Sequence, residues 1–168
     1  MRKLIVLFSL VLSVNANAAL SPLDKAEFLG RNILNNPGFE SGKSQWSASG
    51  GTFATTTSSP LEGSAMATWD SNAASQTLTS TAVAIPVGMR NQSGVVSCRM
   101  QCASGTCTHT ITVDDGTTNI VSPVTITSAT TGGPRTNVTF TFPTSGNIRV
   151  KISSINANEP QLNIEQLS

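Results

Sequence analysis

Val138, Phe140 and Phe142 alternate with Thr139 and Thr141, and Ile148, Val150 and Ile152 alternate with Arg149 and Lys151. A period of two sends successive side chains to opposite faces, which is the mark of a half-buried β-strand. Short runs of the same kind extend back through the chain: Thr52–Thr57, Ser64–Trp69, Ser75–Leu78, Val83–Ile85, Val95–Cys102, Thr106–Val113 and Ile120–Ile126. Leu162 and Ile164 mark a last one. Turn residues separate them, as at Gly50-Gly51, Glu62-Gly63, Pro86-Val87-Gly88, Asp114-Asp115-Gly116 and Gly132-Gly133-Pro134. This is about nine or ten short strands, not interleaved with helices, so a parallel α/β sheet is excluded. The expected fold class is all-β: a jelly-roll β-sandwich of two antiparallel sheets, with a short N-terminal helix.

Residues 1–18 read as a signal peptide. Arg2 and Lys3 precede an apolar run, Leu4–Val14, and Ala16-Asn17-Ala18 is a small-x-small cleavage site. The run is too short to span a bilayer, and no later segment is apolar enough to do so. The expected product is secreted, either extracellular or at the periplasm or cell surface. Ala19–Arg31 is the expected helix and linker, with Ser21 as cap, Pro22 at the first turn and Gly30 at the end. It reads either as a lid on the sandwich or as an oligomerisation or attachment element. Residues 32–168 form the β-domain.

Charged residues make up 11% of the chain and the formal net charge is +1. Electrostatic capture of nucleic acid or an anionic membrane needs clustered Lys and Arg, so neither partner is expected. Catalytic signals are also missing. There is one histidine, and the chain has no Gly-x-Ser-x-Gly elbow, phosphate loop or dinucleotide fingerprint. Asp114 and Asp115 are adjacent but stand before Gly116 in a turn. An enzyme is therefore not expected.

Three cysteines remain. Cys102-Ala-Ser-Gly-Thr-Cys107 reads as a hairpin tip with Ser104-Gly105 as its two-residue loop. Cys102 and Cys107 then form a close cross-strand pair, with Cα atoms about 4.5 Å apart. In an oxidising compartment a Cys102–Cys107 disulfide is expected. Cys98 lies roughly 13 Å along the strand from Cys102, so it is either a buried thiol or an intermolecular link. His109 is in phase with Ile111 and Val113, which makes it a core residue.

One stretch carries a resemblance. Asn32-Ile-Leu-Asn-Asn-Pro-Gly-Phe-Glu-Ser-Gly-Lys-Ser-Gln-Trp46 opens with a short strand at Ile33-Leu34 and turns at Asn36-Pro37-Gly38. Phe39 then returns to the core. The stretch resembles the opening signature of jelly-roll carbohydrate-binding modules related to families 4, 9 and 22. The resemblance implies a non-catalytic module recognising a polysaccharide or cell-surface glycan, and it sets Trp46 against the core. It also implies a structural calcium near the first and last strands, with Glu40 and Glu165 as ligands; otherwise Glu40 bonds backbone amides. No other cofactor is required.

Sugar binding favours flat aromatic rings, with amides, carboxylates and Arg on the hydroxyls. The chain has two Trp and no Tyr. Trp69 shares a face with Ala65 and Ala67, which is either core or groove. The expected glycan site therefore centres on Trp69, Asp70, Asn72, Gln76, Arg99 and Arg149. Scarce aromatics and a Thr-rich surface fit a rival reading. In that reading the domain is a structural or adhesive module that assembles as a homo-oligomer, such as a trimeric fibre tip.

Overall fold

The computed structural model describes residues 32–60, 63–130, 135–165 and 167, and the side chain of Glu165 is not among what it describes. The signal peptide and the helix Ala19–Arg31 lie outside these residues. The first sheet has the order β1 (Trp46–Ala48), β4 (Thr77–Ser80), β10 (Asn147–Ser154), β7 (Thr106–Asp114), β8 (Val124–Ala129), with β5 (Val83–Ala84) also beside β10. The second has the order β2 (Thr52–Thr56), β3 (Met66–Asp70), β11 (Leu162–Glu165), β6 (Ser93–Cys102), β9 (Thr136–Thr141). Each strand pair is antiparallel. The expected jelly-roll sandwich is the observed architecture.

The core lies between the two sheets. Leu78, Ile111, Val113 and Ile152 from the first meet Ala67, Trp69, Leu162 and Ile164 from the second, and all are wholly buried. Alternation along β10 is complete: Ile148, Val150, Ile152 and Ser154 are buried, while Arg149, Lys151 and Ser153 are half-buried on the outside. Gly94 is needed by this packing. A Cβ there would stand 2.7 Å from the rings of both Phe140 and Phe142, closer than a packed interior allows.

The antiparallel pairings put five connections at one end. β1 to β2, β3 to β4, β6 to β7, β8 to β9 and β10 to β11 all cross from sheet to sheet there. The opposite end carries the Asn36–Trp46 loop. Asn36 adopts φ 51°, and its Nδ2 donates to the carbonyls of Gly42 (2.9 Å) and Ser44 (2.8 Å). Its Oδ1 accepts from the Ser41 N–H at 2.9 Å, and its own carbonyl accepts from Trp46 Nε1 at 3.1 Å. The loop thus closes on one amide side chain. Trp46 packs tilted against Phe39, with ring centroids 5.2 Å apart, so it is the core residue the resemblance implies.

Two local expectations are corrected. Ile33-Leu34 is not a strand. The Asn32 Oδ1 accepts from the Leu34 N–H at 3.0 Å, an Asx-type turn that takes the donor a ladder would need. The second correction concerns the cysteines. The Cys102–Cys107 disulfide forms, but not across a hairpin. β6 ends in the second sheet and β7 begins in the first, so the bond ties the two layers together with Cα atoms 6.0 Å apart. The chain changes sheet within Ala103-Ser104-Gly105, because β6 already pairs with β11 and β9 on its two sides.

Candidate functional site

The outer face of the second sheet is built from alternate residues of five strands. Thr68 of β3, Asn163 of β11 and Gln101 of β6 are register neighbours and form one row. Ala54 of β2 extends that row. Arg99 stands in the next row of β6, and Ser97 lies opposite Asn137 of β9 beyond it. Asp70 ends β3 opposite Thr52, exposed at the rim where the chain crosses between sheets. The face therefore offers hydroxyl, amide, guanidinium and carboxylate groups, as donors and as acceptors.

The rim is ordered by a reciprocal amide pair. Gln76 Oε1 accepts from the Asn72 N–H at 3.0 Å, and Gln76 Nε2 donates to Asn72 Oδ1 at 2.6 Å. The Gly50-Gly51 turn fits under it. Gly51 has φ +74°, and a Cβ there would lie 2.1 Å from the Asp70 carbonyl. Asn163 Oδ1 accepts from Gln161 Nε2 at 3.1 Å, and the Gln101 amide donates to the Thr130 carbonyl. Both side chains are thereby held on the face.

The residues expected at a glycan site divide into three groups. Asp70, Asn72 and Gln76 come together at the rim, and Arg99 is on the same sheet face. Arg149 is on the outer face of the other sheet, where its Nε contacts Asp114 Oδ1 at 2.5 Å and Lys151 Nζ contacts Oδ2 at 3.1 Å. Trp69 corrects the groove expectation: it is 0% exposed. Its Nε1 donates to the Gly50 carbonyl at 3.0 Å and its ring lies 5.7 Å from that of His109. It supports the rim from below and presents no ring to a ligand. Val87, Val95 and Ile155 are the exposed large apolar side chains among the described residues, and none is aromatic.

Asn163, Gln101, Thr68 and Asn137 were not singled out from sequence. Their only sequence signal is their outward phase in strands that lie far apart along the chain.

Beneath the rim His109 is buried, and neither ring nitrogen has a hydrogen-bond partner. Burial lowers its pKa below 6.5, outweighing the opposing pull of Glu159, so the ring is neutral. On the first sheet, burial raises Asp114, but hydrogen bonds from Arg149, Lys151 and the Gly116 N–H outweigh it and hold the carboxyl below its ordinary range. Burial pushes the Cys98 thiol up to about 12, so it is an inert core thiol at neutral pH.

Of the two residues expected to hold calcium, Glu40 is bonded to backbone and hydroxyl donors. Glu40 Oε1 accepts from the N–H groups of Ser64 (2.9 Å) and Ala65 (3.3 Å), and Oε2 accepts from the Ser64 hydroxyl. The Ser64 hydroxyl and N–H hold its pKa down. Three donors thus take up three of the carboxylate's roughly four acceptor sites. Glu165 stands opposite Arg99 in the backbone register. No cluster of three His, Cys, Asp or Glu that could hold a metal occurs among the described residues. An open recess of about 390 Å³ next to Glu40 is lined by Phe39, Gly42, Thr55 and Ala65.

No protein-family model matches the sequence, and no curated protein is similar to it in sequence. Solved structures are similar in fold. A family 61 carbohydrate-binding module in complex with β-1,4-galactotriose superposes with a TM-score of 0.63 at 20% identity, over 82% of this chain and 96% of that one. A family 16 carbohydrate-binding module gives 0.60 at 14% identity, over 82% and 98%. The family 22 xylan-binding domain of Paenibacillus barcinonensis Xyn10C gives 0.59 at 12% identity, over 77% and 88%. The chain has the jelly-roll fold of these modules.

Proposed function

We propose that this chain is an exported, non-catalytic module that binds a soluble polysaccharide or cell-surface glycan along the outer face of the second sheet. The observation that carries this reading is the row Thr68–Asn163–Gln101, flanked by Arg99 and ending at the Asp70 rim. Paired donors and acceptors at strand spacing, about 4.8 Å apart, suit the hydroxyls of successive sugar units. The fold similarity to modules solved with galactotriose or described as xylan-binding supports the same reading. Hydrogen bonds take the place of aromatic stacking, so the ligand is a hydrated single chain and not a crystalline surface.

A glycan-array screen of the processed protein, with calcium and again with chelator, tests this. Reproducible binding to one polysaccharide class, reduced at least tenfold by Asn163→Ala, is the expected result. Silence in both conditions, with the protein shown to be folded, overturns it.

A further inference from the structure

β9 is an edge strand with nothing on its outer side among the described residues. The Phe142 N–H donates to the Gln92 carbonyl at 2.9 Å, and the register runs on through Gly94–Phe140 and Val96–Val138. Antiparallel ladders alternate bonded and non-bonded pairs. Phe142, Phe140 and Val138 therefore bond inward to β6. The N–H and C=O groups of Asn137, Thr139 and Thr141 point out of the sheet.

Monomeric sheet proteins protect such edges with charge, proline, bulges or very short strands. Thr136–Thr141 has none of these over six residues. Val124–Ala129, the edge of the first sheet on the same flank, is six residues without charge or proline. The opposite flank differs. β1 is three residues long, and the Phe39–Gly42 loop lies against β2 across the recess.

We propose that two copies of this chain pair antiparallel through β9 about a two-fold axis at Thr139, joining their second sheets into one. A two-fold contact requires a strand complementary to itself. With Thr139 opposite its own copy, Asn137 faces Thr141 and Val138 faces Phe140 of the second copy. Hydroxyl then meets hydroxyl or amide on the outer face, and apolar meets apolar on the core side. No like charges are brought together within the paired segment. Asn137 and Thr139 also border the proposed glycan face, so pairing would make the two faces continuous.

Two substitutions test this without touching an internal bond. Thr139→Pro deletes an N–H that the single copy leaves unbonded toward β6, and Thr139→Lys sets two ammonium groups opposite each other across the seam. Light scattering of the processed protein over a wide concentration range should show a dimer. Thr139→Lys should raise its dissociation constant at least tenfold, and Thr139→Pro should abolish it, both with an unchanged circular dichroism spectrum. If Thr139→Pro does not fold, Thr139→Lys alone decides. A wild-type chain that is monomeric at every concentration overturns the proposal, as does an oligomer that persists unchanged in Thr139→Lys. Neither result depends on a glycan, so failure here leaves the binding reading intact.

Discussion

Cys102 and Cys107 are five residues apart in sequence and belong to different sheets, so their disulfide fastens the two layers of the sandwich at the end where the chain crosses. The bond closes a very short loop. Chain entropy alone gives it about 2 kcal/mol. Replacing both cysteines by serine should lower the melting temperature by about 4–8 °C and leave the fold intact. Calorimetry of the double variant checks this, and an unchanged melting temperature would show that the layers are held without the bond.

Trp69 fills the core directly below the proposed site. Trp69→Ala should cost about 3–5 kcal/mol through the cavity it leaves, and it should frustrate binding only by loosening the rim. Denaturant titration of Trp69→Ala and Trp69→Phe separates the two roles. A Trp69→Ala protein as stable as the wild type, with binding lost, would return the indole to the ligand surface.

His109 gives the sandwich a pH dependence. Its folded pKa lies below 6.5 because burial disfavours the charged ring. The unfolded chain therefore binds a proton first as pH falls. Stability is full above about 6.5 and declines below it as pH drops toward the folded value. Melting temperature should fall between pH 7 and pH 5, before the carboxylates begin to titrate. His109→Phe should flatten that part of the profile. A slope that survives the substitution would assign it to another group.

The Asp114 carboxylate holds both Arg149 and Lys151, and its side chain is 3% exposed. Among the described residues the same cations reach the following loop, with Arg149 donating to the Gly116 carbonyl at 3.3 Å and Lys151 to Asn119 Oδ1 at 3.1 Å. Asp114→Asn should cost about 1–3 kcal/mol, since it removes the negative charge that two partly buried cations share and turns one accepting oxygen into an amide donor. Amide exchange should quicken across residues 115–121. Unchanged exchange there would mean the loop is held by Asp115, which accepts from the Thr117 and Thr118 N–H groups at 2.8 Å each.

The sandwich was legible because alternation survives in almost every strand, from Val138–Phe142 to Ile148–Ile152. The signature stretch was legible for a physical reason as well: Asn36 ties its own loop, so Asn, Phe39 and Trp46 must keep their spacing. The pairing of strands was not legible. Alternation says which side of a strand is buried and not which sheet it joins, so Cys102–Cys107 looked like a hairpin. Trp69 was ambiguous because Ala65 and Ala67 suit a core and a groove equally well. The rim residues Asp70, Asn72 and Gln76 are close in sequence and were found together. Thr68, Gln101 and Asn163 meet only when β3, β6 and β11 pair, and nothing local marks them.

The most direct test of the binding reading is to titrate isotopically labelled protein with the polysaccharide class selected on the array and follow backbone amide shifts. The account predicts perturbations clustered on Thr68, Asp70, Arg99, Gln101 and Asn163, with the Thr108, Thr110 and Thr125 face of the first sheet silent. Shifts confined to the first sheet, or to the recess beside Glu40, would contradict it.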